Sequence, residues 1–169
     1  MLEWKDVRLA RPVADENFGA NPKVKFIRNG KDGNSLIQLN IPPLRPGSNR
    51  GRIYIDFKIA GRSVCKGIRF SIQASNPEAV RKDALYLGTD DFSRFSVKYE
   101  LMTRDRDSRQ QVVLPIPSMV PEKGGVSPGQ ATLMRLSFWV DNVKPMTITI
   151  TPPEWVNDER SLEKGYHTL

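Results

Sequence analysis

The sequence predicts an all-β chain, a sandwich or a barrel, on three observations. Eight segments alternate apolar with polar residues or are rich in β-branched and aromatic ones. Breakers bearing glycine and proline separate them, and no strand–helix–strand alternation runs through the chain. In order, the segments are "KVKFI" (23–27), "SLIQLNI" (35–41), "RIYIDFKI" (52–59), "GIRFSIQAS" (67–75), "RFSVKYEL" (94–101), "QQVVLPI" (110–116), "ATLMRLSFWV" (131–140) and "MTITIT" (146–151). The total expected is eight or nine strands.

Alternation is strict in three of them. Ile53, Ile55, Phe57 and Ile59 oppose Tyr54, Asp56 and Lys58. Ile68, Phe70, Ile72 and Ala74 oppose Arg69, Ser71, Gln73 and Ser75. Phe95, Val97, Tyr99 and Leu101 oppose Ser96, Lys98 and Glu100. Each strand therefore has a dry face and a wet one, as in two antiparallel sheets packed together. The helical candidate is "NPEAVRKDALYL" (76–87), with Asn76 as N-cap and Pro77 in the first turn; it is short, and one turn rather than a helix is the alternative. "LARPVADENFGANP" (9–22) reads as loop. The division expected is a sandwich over 1–151 and a C-terminal extension over 152–169, the latter following two prolines and carrying cues for a short helix.

Composition narrows the function classes. Lys and Arg total 26 against 19 Asp and Glu, a formal charge of +7, which favours acidic partners. The basic residues are spread out, and the densest group, "TRDRDSRQ", alternates in sign like a solvated loop. No apolar run approaches the roughly 18 residues of a membrane span, and the N-terminus lacks a signal-peptide core. A cytoplasmic protein and an excised domain of a larger one are both consistent with this, so localisation stays open. Cys65 and His167 are the single cysteine and histidine, too few for a zinc site of that kind. His167 lies in a terminal tail, where a catalytic base is rarely held rigidly. No phosphate loop and no dinucleotide fingerprint occurs. The expectation is a non-enzyme with no cofactor, no metal and no catalytic residue.

One position breaks the pattern. In "LMRLSFWVDNVKPMTITI" (133–150), Met134, Leu136, Phe138 and Val140 form a core face, while Trp139 shares the other with Leu133, Arg135 and Ser137. A tryptophan on a wet face is either a ligand platform or a residue covered by a loop.

From residue 24 to 151 the order of strand motifs resembles the galactose-binding-domain-like jelly roll of many carbohydrate-binding modules. The motifs are "NSLIQLNI", "KGIRFSIQAS", "QQVVLPIPSM" and "LSFWVDN". The resemblance implies an antiparallel jelly-roll β-sandwich that binds carbohydrate without catalysis, in a polysaccharide-processing or surface-glycan system. The N-terminal segment lacks the paired acids many such modules use for a structural calcium, so no calcium carries over.

Sugar recognition needs an aromatic face for stacking and polar groups reaching the hydroxyls. Trp139 with Arg135, and Gln73 with Arg69, supply those types on wet strand faces and are the expected ligand-binding residues. Tyr54, Asp56 and Lys58 form a weaker alternative platform, while Trp4 and Trp155 are expected to clamp the termini. The partner expected is a carbohydrate, an anionic polysaccharide in one version. The alternative is a structural or protein-interaction sandwich used in assembly, with a protein partner. Nucleic acid is not expected, since no strand interleaves basic and aromatic residues as oligonucleotide-binding barrels do.

Overall fold

A strand with one dry face needs a second sheet to cover it, and the chain builds two. The structure is a computed structural model that describes residues 8–9, 17–28, 35–58, 67–88, 94–99, 110–115, 120–123, 133–151, 153–156 and 167–168. The first sheet runs β1 (Arg8–Leu9), β4 (Gly51–Lys58), β10 (Leu133–Val140), β6 (Val80–Gly88), β7 (Arg94–Tyr99) and β9 (Val120–Lys123). The second runs β13 (His167–Thr168), β8 (Gln110–Pro115), β5 (Gly67–Ala74), β11 (Met146–Ile150), β3 (Ser35–Ile41) and β2 (Lys23–Arg28), with β12 (Glu154–Val156) also pairing β5. Every pairing is antiparallel. Among the described residues nine strands have five residues or more, and the four shorter ones are β1, β9, β12 and β13. The all-β antiparallel sandwich expected from the sequence is the fold observed.

The core follows the period-two pattern. Ile53, Ile55 and Phe57 of β4, Leu85 and Leu87 of β6, and Met134, Leu136, Phe138 and Val140 of β10 are buried from the first sheet. Ile37, Leu39 and Ile41 of β3, Ile68, Phe70, Ile72 and Ala74 of β5, and Met146, Ile148 and Ile150 of β11 are buried from the second. They form one cluster. At about 1.5–3 kcal/mol for each large side chain taken from water, this is the dominant favourable contribution to folding. The side chains of Ile59, Phe95, Val97, Tyr99 and Leu101, assigned to the same dry faces, lie outside the described residues.

Two anchoring contacts and a turn set the entry into β4. Phe18 is fully buried and bridges Leu44, and its ring occupies the space a side chain on Gly51 would need. Arg45 ties the same segments together, its Nε donating to the Phe18 carbonyl at 3.0 Å. Next comes a tight turn in which the Ser48 N–H donates to the Arg45 carbonyl at 3.0 Å, with Pro46 and then Gly47 at φ 88°. Only glycine adopts that conformation without strain. The turn delivers Arg50 to the start of β4.

Of the two readings of 76–87, the single turn is the one found, and a helix through Leu87 is corrected. Only Pro77–Ala79 is helical, a single 3-10 turn, and Val80–Gly88 is a strand lying between β10 and β7. Its alternation was hidden by Asp83, a buried carboxylate in register with Phe138 where the pattern calls for an apolar residue. Of the C-terminal segment, the described residues 154–156 and 167–168 add strands to the second sheet; residues 157–166, where a short helix was expected, lie outside the described residues. Among the described residues no helix is long and apolar enough to cross a membrane.

Candidate functional site

The outer face of the first sheet is organised in rows across the strands, because residues paired in register point the same way. Trp139 lies opposite Arg52 on one side and Lys82 on the other, so one row reads Arg52–Trp139–Lys82. The next reads Tyr54–Ser137–Ala84, and the third Asp56–Arg135–Tyr86. The two pairings that make each row join residues far apart in the chain.

The middle row is not wet, contrary to the alternation. Ser137 is 1% exposed and Tyr54 5%. The cause is the long side chains that lean over it. The Arg135 guanidinium stacks 3.9 Å from the centre of the Tyr54 ring, and that of Arg52 lies 5.6 Å from it. Tyr54 is thus a floor beneath two arginines rather than an open platform. Arg135 is fixed by a two-pronged pair with Asp56, Nε to Oδ1 at 2.7 Å and Nη2 to Oδ2 at 3.0 Å. Burial works to lower the Arg135 pKa, but the hydrogen bonds and charge of Asp56 outweigh it and hold the guanidinium above its ordinary value. With both carboxylate oxygens engaged, Arg135 is a structural brace.

Trp139 is half-buried, and cations surround its ring. The Arg50 guanidinium lies 4.6 Å from the ring centre, that of Arg52 5.7 Å and the Lys82 ammonium 6.0 Å. For exposed cations such as Arg50 and Lys82 a contact of this kind contributes about 0.5 kcal/mol, and more only when desolvated. The Arg52 Nε also donates to Ser137 Oγ at 3.3 Å, which holds its head beside the indole. At this point β6 carries one extra residue: Trp139 pairs with Lys82 and Val140 with Val80, leaving Arg81 as a bulge. Bulges re-aim neighbouring side chains. Arg81 turns to an ion pair with Asp141, while Lys82 stays beside the tryptophan.

The other two nominated residues lie elsewhere. Arg69 and Gln73 are on β5, on the outer face of the second sheet, so the structure divides the four into two pairs on opposite sides of the sandwich. Arg69 donates from Nη2 to Glu154 Oε2 at 2.9 Å, an exposed pair. Gln73 is in register with Thr149, and Thr149 with Gln38. Hydroxyl and amide groups fill the middle of this face, where Asn40, Ser71 and Thr147 join Gln38, Gln73 and Thr149, and Lys23 and Lys25 of β2 lie beside Asn40 and Gln38. The side chain of Trp155, and all of Trp4, lie outside the described residues. Among the described residues no group of three or more His, Cys, Asp or Glu side chains is placed to hold a metal.

Arg50, Arg52 and Lys82 were not nominated from the sequence. Arg50 sits in a breaker segment and Lys82 in the segment read as helix. Arg52 alternates correctly with Tyr54 and Asp56, and only the register with β10 reveals its neighbour.

No protein-family model matches the sequence, and no curated protein matches it either. Solved structures do. The chain is similar to the family 11 carbohydrate-binding module from Clostridium thermocellum in complex with a β-1,3-1,4-mixed-linked tetrasaccharide, with TM-score 0.52 and 9% identity over 89% of this chain and 87% of that one. It is similar to a carbohydrate-binding module specific for non-crystalline cellulose, with TM-score 0.53 and 8% identity over 91% and 89%. It is also similar to part of the enzymatically active domain of tailspike protein 4 of bacteriophage CBA120, with TM-score 0.51 and 12% identity over 90% of this chain and 20% of that one. The chain has the β-sandwich fold these proteins share.

Proposed function

We propose that this chain is a carbohydrate-binding domain that performs no catalysis itself and serves a polysaccharide-processing or surface-glycan system. The observation that carries it is Trp139, a half-exposed indole on the outer face of the first sheet with polar side chains on either side. An indole face stacks against the C–H face of a pyranose, and flanking donors orient the ring through its oxygens. The fold supports the reading, since carbohydrate-binding modules are among the structures it matches, although the same fold occurs within a phage tailspike and a fold alone does not choose a function. In this reading Trp139 stacks the sugar, Arg52 and Lys82 contact it, and Arg135 holds the floor. Arg69 and Gln73 would form a separate, weaker contact surface on the opposite sheet.

A glycan array read with the wild-type chain and Trp139→Ala tests this, beside size-exclusion chromatography with light scattering. Binding lost in the variant is the expected result. A chain that binds no glycan and runs as a stable oligomer would instead favour the assembly role with a protein partner.

A further inference from the structure

Among the described residues, the side chains of the row through Trp139 offer hydrogen-bond donors and no acceptor. Arginine and lysine heads carry no acceptor atom, and Arg50, Arg52 and Lys82 form no ion pair with a described residue. The nearest hydroxyl, Ser137 Oγ, already accepts from Arg52. Three other strand arginines are paired with carboxylates: Arg135 with Asp56, Arg81 with Asp141 and Arg69 with Glu154. Arg50, Arg52 and Lys82 thus gather three cations around one indole, with no carboxylate partner among the described residues.

A neutral sugar hydroxyl both donates and accepts, and a donor-only rim leaves its proton without a partner. Carboxylate and sulfate groups only accept, and they match arginine heads with short, charge-assisted hydrogen bonds. We propose that this face binds an acidic glycan, a hexose polymer bearing carboxylate or sulfate groups. One ring stacks on Trp139 while acid groups reach the cations of the neighbouring strands, about 4.8 Å to either side. The formal charge of +7 adds long-range attraction for such a polymer. Single-stranded nucleic acid fits less well, because it uses successive stacking rings and the second ring here, Tyr54, is buried under Arg135. The inference rests on the reading that the domain binds carbohydrate, and it names the chemical class.

Titration calorimetry with two matched pairs of polymers tests it: polygalacturonate against its methyl ester, and dextran sulfate against dextran. A single-stranded oligonucleotide serves as a charged control. At low salt at least one acidic polymer should bind about tenfold or more tighter than its neutral partner, the effect of one charged hydrogen bond. High salt should erase the difference. The double variant Arg50→Gln, Lys82→Gln should lose the preference while staying folded with only a small drop in unfolding midpoint, since both side chains are exposed and the variant removes only their contacts with the Trp139 ring. Equal binding of acidic and neutral partners, or a preference that survives in the double variant, overturns the acidic class and leaves the carbohydrate reading standing. Equal binding of the oligonucleotide overturns it too, because charge alone would then suffice. A chain that binds none of the four polymers overturns the acidic class, and the glycan array then decides whether the carbohydrate reading stands.

Discussion

The two outer faces of the sandwich are built from the same kind of alternating strand and present different chemistry. On the first sheet an indole and two tyrosines stand among arginines and a lysine, and the only carboxylate in the three rows, Asp56, is taken up by Arg135. On the second, Gln38, Asn40, Gln73, Ser71, Thr147 and Thr149 bring donors and acceptors together, Arg69 is paired with Glu154, Lys23 and Lys25 lie on β2, and no aromatic side chain is placed among the described residues of β3, β5 and β11 on that face. The first face can stack a ring and prefers acceptors; the second can exchange hydrogen bonds with hydroxyls but has little to stack against. The indole available for stacking is the reason the proposed site is put on the first face.

The largest expected effect separates the faces directly. Trp139→Ala should weaken binding of array-positive glycans about thirtyfold, the loss of about 2 kcal/mol typical of an aromatic anchor. Gln73→Ala should leave it within about twofold, as contacts outside an anchor do. The same tryptophan variant should cost less than about 3 kcal/mol of stability, since Trp139 is only half-buried. A larger loss, read in urea unfolding, would move it from contact residue to core residue.

Next come the two arginines nominated from the sequence, one on each face. Arg135→Ala should lower stability by about 2 kcal/mol, because it leaves Asp56 half-buried without its partner and uncovers Tyr54. Arg69→Ala should cost at most about 1 kcal/mol, since its pair with Glu154 is exposed and screened. Equal losses would erase the difference in burial on which the comparison depends.

On the second face, the Ser71 N–H donates to Thr151 Oγ1 at 2.7 Å. Thr151→Val removes that acceptor and should cost about 1 kcal/mol. The smallest effect is expected at Lys82, where replacement by alanine should change stability by no more than about 0.5 kcal/mol, as at other exposed surface positions. A stability loss at Lys82 as large as at Arg135 would make the cationic cluster part of the scaffold rather than a free contact surface.

Some of this was legible along the chain, for a physical reason. A strand's period of two is local, so the inward faces of β4, β5 and β10 could be read residue by residue, and Trp139 stood out from the pattern of its own strand. β6 escaped because Asp83 interrupts its apolar alternation, and because Asn76 and Pro77 supply the signals of a helix start that lasts one turn. Burial of Tyr54 and Ser137 also escaped, since it depends on arginines leaning across from neighbouring strands.

The sequence by itself determined that the chain forms half-buried antiparallel strands, which residues of those strands face inward, and that an indole stands on the outward side. Only the tertiary structure decided what surrounds that indole. Residues 52, 82 and 139 meet because β4 and β6 flank β10 in a particular register, and a slip of one residue in either pairing would turn the neighbouring cation to the opposite face. Register is set by the packing of the whole core across long stretches of chain, so no local pattern encodes it.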